Sequence, residues 1–403
     1  MQCAILQLTH MIEQGMPEMK RINEQPKIVL AMIVRNESKN IERCLDSLIG
    51  TVDFIAITDT GSTDSTVEKI HSWSELHPDI PVKVNTLPFV NFEETRNANL
   101  QEARAQFRNQ ADYILLLDAD MCLQRQKEHP LDKHALDQPV YNIKQCNGDL
   151  SYYNTRLIRL NENTFHYKGV THEYLDVQSN STTPLHSLLI MDKNDGGCKA
   201  DKFIRDKRLL EHALEDSLSS DMRQRYTFYL AQTLMDLKDD DGALIMYQRC
   251  IDLGGWKEEI YISHLRKADI LHRTGKHKEA FQEGWLATTV ISKRAEGYYY
   301  ILAFLNHQKL YEIAATLGTL AVDLAKQQML SETQQHLFQN DIILKYFVPI
   351  EYSIALYYTG QQSTFEDVTT RLIGIVNDDD SAASPLLKSV MNTLTTNRRF
   401  FTS

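Results

Sequence analysis

From Ile28 to Val34 every residue is apolar, a run of seven that ends in the polar turn Arg35-Asn36-Glu37-Ser38. A run of that length reads as a buried strand and falls far short of the roughly 20 residues a membrane helix needs. Ile41, Leu45, Leu48 and Ile49 then repeat at helical spacing, with Asn40 as a candidate N-cap. The same alternation continues. Strands are predicted over Phe54–Thr58, Val82–Leu87 and Tyr113–Leu117, with helices after Asp64 and over Glu93–Phe107. Strands alternating with helices imply a mostly parallel sheet covered on both faces. Such sheets bind ligands at the carboxyl ends of their strands. Asn36 and Glu37, Asp59 and Gly61, and Asp118 and Asp120 all fall at those ends. Residues 121–200 are less regular, with one strand expected within Tyr152–Leu160.

Beyond about Lys199 the apolar positions take on helical spacing. Ala231, Leu234 and Ala243 recur as Ala268, Leu271 and Ala280, and the last two recur again as Leu305 and Ala314. A period near 34 residues with small side chains where helices cross is the tetratricopeptide signature, and a non-repetitive helical bundle is the alternative. Proline distribution agrees with helix: eight of the ten prolines lie at or before Pro184, and residues 185–348 contain none. Pro349 is expected just before a new helix at Glu351. Residues 1–26 form an extension in which Ile5, Leu8, Met11 and Ile12 share a helical face.

Composition narrows the function. The net charge of −11, with no basic tract, argues against nucleic acid. Six scattered cysteines without a C-x-x-C pair predict a reduced cytoplasmic protein with neither structural zinc nor a disulfide frame, and any membrane contact would be peripheral. The acidic triplets Asp239–Asp241 and Asp378–Asp380 read as solvated turns rather than calcium loops.

Four clusters carry candidate chemistry. Asp118 and Asp120 leave a buried strand together, where two carboxylates repel unless a cation or donor sits beside them. One would hold a hard divalent ion and the other a ribose hydroxyl; a helix cap or a solvated turn is the alternative. Asp59 would accept hydrogen bonds from a base or ribose, beside the turn at Gly61. Arg96, on the first turn of a helix, would bind a diphosphate or hold Asp118 or Asp120, unless it is a plain surface arginine. His172 offers a neutral imidazole to a metal and Glu173 a general base; a structural hydrogen bond is the plainer reading of the pair.

With these residues in order, the chain resembles the family 2 glycosyltransferases, and within them the branch with a C-terminal tetratricopeptide-like domain. The resemblance rests on Ile33–Glu37, Thr58–Asp64, Arg96-Asn97, Leu116–Asp120, Arg156–Arg159, Gly169 with His172-Glu173, Asp195–Asp206, Phe228–Gln232 and Gly254–Glu259, and spans roughly residues 27–290. It implies an α/β GT-A catalytic domain (Rossmann-like, mostly parallel sheet) over 27–200 and an all-α repeat domain over 201–403. It further implies that Val34, Arg35, Asn36, Glu37 and Asp59 hold the nucleotide, and that Asp118 contacts it. Asp120 and His172 would bind Mn²⁺ or Mg²⁺ bridging the diphosphate. The donor would be a nucleotide-diphosphate sugar, UDP-linked, and the acceptor a glycan, lipid-linked glycan or protein hydroxyl attacked with inversion. Many relatives place the base in a Glu-Asp pair on an acceptor-side helix, which has no convincing counterpart here. Glu173 is the candidate, with Asp149 and Asp195 as fallbacks. The competing reading is a scaffold whose helical repeats bind a partner chain beside an inactive sheet domain. In either case the repeats would present a protein partner or form a homodimer.

Overall fold

A computed structural model describes residues 25–147, 150–177, 182–197, 202–331, 336–378 and 392, and the structural statements here concern those residues. The amphipathic face predicted near the N-terminus, Asp149, and Asp379 and Asp380 lie outside them. The described residues fall into two compact units. One holds those up to Gly169 with those from Glu173 to 197; the other holds Val170–His172 with those from 202 onward.

The first unit is built on an eight-stranded sheet of order β3-β2-β1-β4-β7-β6-β10-β5. Strands β1 (Ile28–Val34), β2 (Phe54–Asp59), β3 (Val82–Thr86) and β4 (Tyr113–Leu116) are parallel. Helices α1 (Ile41–Leu48), α2 (Thr66–Leu76) and α3 (Phe92–Phe107) connect them, as the alternation predicts. Because side chains alternate across a strand, β1 feeds two cores. Ile28, Leu30, Met32 and Val34 pack with Leu45 of α1 and Ile70 and Trp73 of α2, while Val29 and Ala31 pack with Leu100, Ala103 and Phe107 of α3.

The other half of the sheet is mixed. β5 (Met121–Arg125), β6 (Val140–Asn147), β7 (Leu150–Arg159) and β10 (Thr183–Asp192) include the antiparallel pairs β4–β7, β6–β7 and β5–β10. A short connection such as that from Asn147 to Leu150 permits only antiparallel pairing. β8 (His166–Lys168) and β9 (Tyr174–Asp176) form a separate two-stranded ribbon. The chain passes from β4 directly into β5 at the far edge, so Asp118-Ala119-Asp120 is the turn between an inner strand and an edge strand.

The second unit is helical. After α4 (Lys202–Glu215) come the pairs α5 (Ser220–Asp236) and α6 (Asp240–Leu253), α7 (Lys257–Arg273) and α8 (His277–Val290), α9 (Glu296–His307) and α10 (Tyr311–Leu330), and α11 (Val348–Tyr358) and α12 (Gln362–Asp378). One turn closes all four pairs. A residue of positive φ, respectively Lys238, Gly275, Lys309 and Gly360, follows each first helix. The residue after it donates its N–H to the carbonyl of Leu234, Leu271, Leu305 or Leu356 at 2.9, 2.8, 2.9 and 3.1 Å. This is the left-handed cap that satisfies orphan helix carbonyls. Five residues past each turn residue stands a buried side chain, Ala243, Ala280, Ala314 or Phe365. The sequence repeat is thus a repeat of hairpins.

Two local expectations shift. The helix placed at Glu351 already includes Pro349 in its first turn, preceded by a wider π turn over Ile343–Phe347 that accommodates a residue lacking an N–H. Asp239 is not merely solvated: its carboxylate caps α6 by accepting from the Gly242 N–H at 2.9 Å.

Helices α8 and α10 flank α9, and α8 and α9 approach closely at two glycines. A Cβ added to Gly284 would lie 2.8 Å from the Gly297 carbonyl oxygen, and one on Gly297 would lie 2.7 Å from that of Gly284. Glycine to alanine in a free helix is stabilising by about 1 kcal/mol. Here the clash with backbone reverses the sign. Gly284→Ala or Gly297→Ala is expected to lower stability by roughly 1–3 kcal/mol in urea denaturation, and a rise in the midpoint would contradict this packing.

Candidate functional site

The carboxyl ends of β1, β2 and β4 bring the predicted clusters into one hydrogen-bonded rim. After β1 the backbone turns through Asn36, whose φ is +56°. The turn is tied to the one after β2. The Asn36 N–H donates to Ser62 Oγ at 3.0 Å, and Asn36 Oδ1 accepts from the Thr63 N–H at 2.7 Å. The Glu37 N–H donates to Thr66 Oγ1 at 2.7 Å, and the Val34 carbonyl accepts from the Thr60 N–H at 2.9 Å. Asp59 is buried, and its carboxylate accepts from the Gly61 and Ser62 amides at 3.2 and 3.1 Å. It therefore shapes the turn itself. Arg35 is exposed at the edge of this rim.

At the end of β4, Arg96 of α3 donates through Nη2 to Asp118 Oδ1 at 2.7 Å and through Nε to Glu173 Oε1 at 2.6 Å. The guanidinium also lies over the Tyr167 ring, 5.4 Å from its centroid. Asn97 fixes that tyrosine by exchanging two hydrogen bonds with its backbone, at 2.9 and 2.7 Å. Arg96 is thus no surface arginine. Arg156 of β7 approaches the other Asp118 oxygen at 3.9 Å and donates to Gln145 Oε1 at 2.8 Å. Burial pushes the Asp118 carboxyl up, but Arg96 and then Arg156 overcome it and hold the group below the usual range.

Asp120 has the opposite environment. Burial, followed by the charges of Asp118, Asp192 and Glu37, pushes its carboxyl up to about 6. A Cβ placed on Gly196 would lie 3.1 Å from Asp120 Oδ2 and 3.3 Å from Glu37 Oε1, so these two carboxylates flank one small space. Glu37 is held there by the Asn40 amide at 3.0 Å and the Gly197 N–H at 2.9 Å. Negative charge without a matching cation suits a hard divalent ion that keeps positions open for phosphate oxygens. Among the described residues no three His, Cys, Asp or Glu side chains already form a cage.

His172 is placed in the helical unit. Its φ is +51°, and its ring stacks on Tyr229 with centroids 4.1 Å apart and planes at 11°. Its carbonyl accepts from Arg225 at 2.8 Å. It lines a cavity of about 120 Å³ with Lys202, Asp206 and Gln232. Burial, with Lys202 and Arg225 adding to it, lowers the imidazole to about 4, so it is neutral at pH 7. Asp195, a fallback base, is clamped by both terminal nitrogens of Arg43 at 2.9 and 2.8 Å. The residues missed from sequence are Gln145 and Asp192, while Arg156 stood in the resemblance without a role; Gln145 accepts from Arg156 and donates to Asp192 Oδ2 at 3.1 Å.

Arg96 neutralises two largely buried carboxylates, so its removal is costly. Arg96→Met is expected to lower unfolding free energy by roughly 3–5 kcal/mol at pH 7. Asp118 has a depressed folded pKa, so its contribution is present above the unfolded value of about 3.9 and is lost as pH falls through the folded one. The deficit should therefore narrow below about pH 4. Denaturation of both proteins from pH 7 to pH 3 checks this, and a deficit that grows in acid would contradict it.

Comparison with known proteins finds similarity over most of this rim. Residues 29–185 match the model described as Glycosyl transferase family 2. The SPbeta prophage-derived glycosyltransferase SunS of Bacillus subtilis (strain 168) is 28% identical over 160 residues, which are 38% of this chain and 35% of that protein. Glycosyltransferase SunS of Bacillus phage SPbeta matches equally. The match thus spans about a third of the length of these curated relatives. Among solved structures, a tetratricopeptide repeat protein from Parabacteroides merdae is 12% identical with a TM-score of 0.36, covering 48% of this chain and 66% of that one. A mannosyltransferase from Pyrobaculum calidifontis, solved with GDP-Man and Mn²⁺, is 15% identical with a TM-score of 0.34, covering 58% and 77%. Residues 29–185 are thus similar to a glycosyl transferase family 2 domain, and helical hairpins follow them in this chain.

Proposed function

We propose that the chain is a metal-dependent, inverting glycosyltransferase. It would move a sugar from a nucleotide-diphosphate sugar, UDP-linked in our reading, to a hydroxyl of a glycan, lipid-linked glycan or protein. The observation that carries this is the paired arrangement of carboxylates at the end of β4. Asp118 is compensated by Arg96 and Arg156, while Asp120 is left facing Glu37 and Asp192. A scaffold with a disused site has no physical need to keep an uncompensated carboxylate beside two others, since unpaired buried charge destabilises the fold.

In this reading the tied turns after β1 and β2 form the nucleotide side, with Val34, Arg35, Asn36 and Gly61 along the base and ribose and Asp59 holding the turn in shape. Asp120, with Glu37, would hold Mn²⁺ or Mg²⁺, and His172 is the neutral nitrogen donor that the family resemblance adds. When bound, the ion offsets charge that builds on the departing diphosphate. Glu173 would take the acceptor proton during in-line attack. Arg96 holds Oε1 of that carboxylate, and among the described residues Oε2 accepts no hydrogen bond, so one oxygen is oriented while the other is open to a hydroxyl. The helical hairpins would present a protein acceptor or pair two copies.

Calorimetry with UDP and Mn²⁺, followed by turnover assays across nucleotide sugars, tests the proposal. Wild type should bind a nucleotide diphosphate only with the metal, and Asp120→Ala should lose that binding. If wild type binds no nucleotide diphosphate of any base, the proposal fails. Glu173→Gln should retain nucleotide affinity while turnover falls about 10²–10⁴-fold; undiminished turnover would remove Glu173 from the role of base.

A further inference from the structure

A cavity of about 490 Å³ opens in the sheet unit at the other end of β5 from the acidic rim. Met121 follows the rim turn directly, whereas Arg125 ends the strand, roughly 13 Å further along at the usual rise per residue. The walls come from that strand end and the connection after it, and from the link between α1 and β2. No residue of the rim takes part.

Among the described residues, the charged side chains of the lining are the cations Arg125, Lys127 and Lys133 and the single carboxylate Asp53. Asp53 is already committed. Its Oδ2 accepts from the Ile28 N–H at 2.8 Å and from Lys133 Nζ at 2.7 Å. Lys133 is only 8% exposed, and this bond uses part of its ammonium's donor capacity. The side chains of Arg125 and Lys127 have no hydrogen bond or ion pair among the described residues. The guanidinium is nonetheless placed. A Cβ on Gly50, whose φ is +78°, would lie 2.8 Å from Arg125 Nη1, so the missing side chain lets the guanidinium lie against the backbone. The strand beneath it is fixed by the Gln126 N–H, which donates to the Ser187 carbonyl at 2.9 Å. Packing rather than a carboxylate holds this arginine, and its donors stay available to a ligand.

We propose that the cavity binds a small, soluble phosphomonoester of the sugar-phosphate class. Two uncompensated cations in a recess draw anions even on a chain of net charge −11. A guanidinium matches the oxygens of a phosphate in its plane, and the lysine ammoniums add point charges. The volume falls in the range of small-molecule sites, about 300–1,000 Å³, and exceeds what a bare phosphate needs. Val52 and Leu131 give the organic part an apolar wall. A lipid headgroup offers the same phosphate, but the buried Lys133 favours a ligand that enters the recess over one held at a membrane surface. The proposal is independent of the sugar-transfer reading, because it uses other residues and needs no metal.

Calorimetric titration of the full-length protein with glucose 6-phosphate, glucose 1-phosphate and ribose 5-phosphate, without nucleotide or Mn²⁺, tests it. At least one should bind saturably, inorganic phosphate more weakly, and glucose not at all. Affinity should fall as salt rises. Arg125→Gln should weaken binding about tenfold or more, because charge-assisted hydrogen bonds are lost. The Arg125→Gln/Lys127→Gln double variant should abolish it. Both positions are exposed, and circular dichroism confirms that the variants fold. Asp120→Ala should leave binding unchanged, which separates this cavity from the rim. Four outcomes overturn the proposal: no saturable binding of any of the three sugar phosphates, binding undiminished in the folded double variant, inorganic phosphate bound as tightly, or binding only to vesicles containing phosphatidic acid.

Discussion

One guanidinium sets the charge pattern of the rim. Arg96 reaches from α3 to Asp118 on one side and Glu173 on the other. A cation between two carboxylates in a partly dehydrated place does more than balance charge. It fixes the direction in which each carboxylate points, because a guanidinium offers donors in a rigid plane. Tyr167 beneath that plane and Asn97 beside it restrict where the arginine itself can go. Asp118 can then remain ionised, and its charge, with those of Asp192 and Glu37, adds to burial in making Asp120 hard to ionise. The asymmetry between two acids separated by a single alanine follows from which of them the arginine reaches.

The parallel half of the sheet was legible because its chemistry is one-dimensional. A seven-residue apolar run has few alternatives to a buried strand, and Ile28–Val34 is one from end to end. Strand ends were legible for the same reason, so the acids and turns at those ends could be placed on one rim. The mixed half was not. In β6, Asn142, Lys144 and Gln145 interrupt the apolar pattern, and Gln145 is buried only because Arg156 and Asp192 meet it across neighbouring strands. Such a residue looks like a surface glutamine until the pairing is known. The sequence offers Arg96 a diphosphate, Asp118 or Asp120; Asp118 takes it together with the unforeseen Glu173, and no spacing rule links residue 96 to residue 173.

The helical unit shows how a weak sequence repeat can encode a strict backbone one. The four turns differ in residue type, with lysine at two left-handed positions and glycine at the others, yet each closes onto a leucine carbonyl in the same way. What recurs is the need to satisfy helix-end carbonyls and to seat a buried residue five positions on. Identity between repeats is low because many side chains meet those needs.

The Asp118–Asp120 turn joins an inner strand to the far edge of the sheet. Its neighbours come from residue 37 on one side and residue 192 on the other. Local contacts cannot assemble it. During synthesis, a chain released only as far as β6 would have its parallel strands in hand but no β10 for β5 to pair with. Closing such distant segments is the slow part of folding. Only when β10 pairs with β5 does Asp192 join Asp118, Asp120 and Glu37, so the full charge pattern of the rim waits on the most distant strand of its sheet.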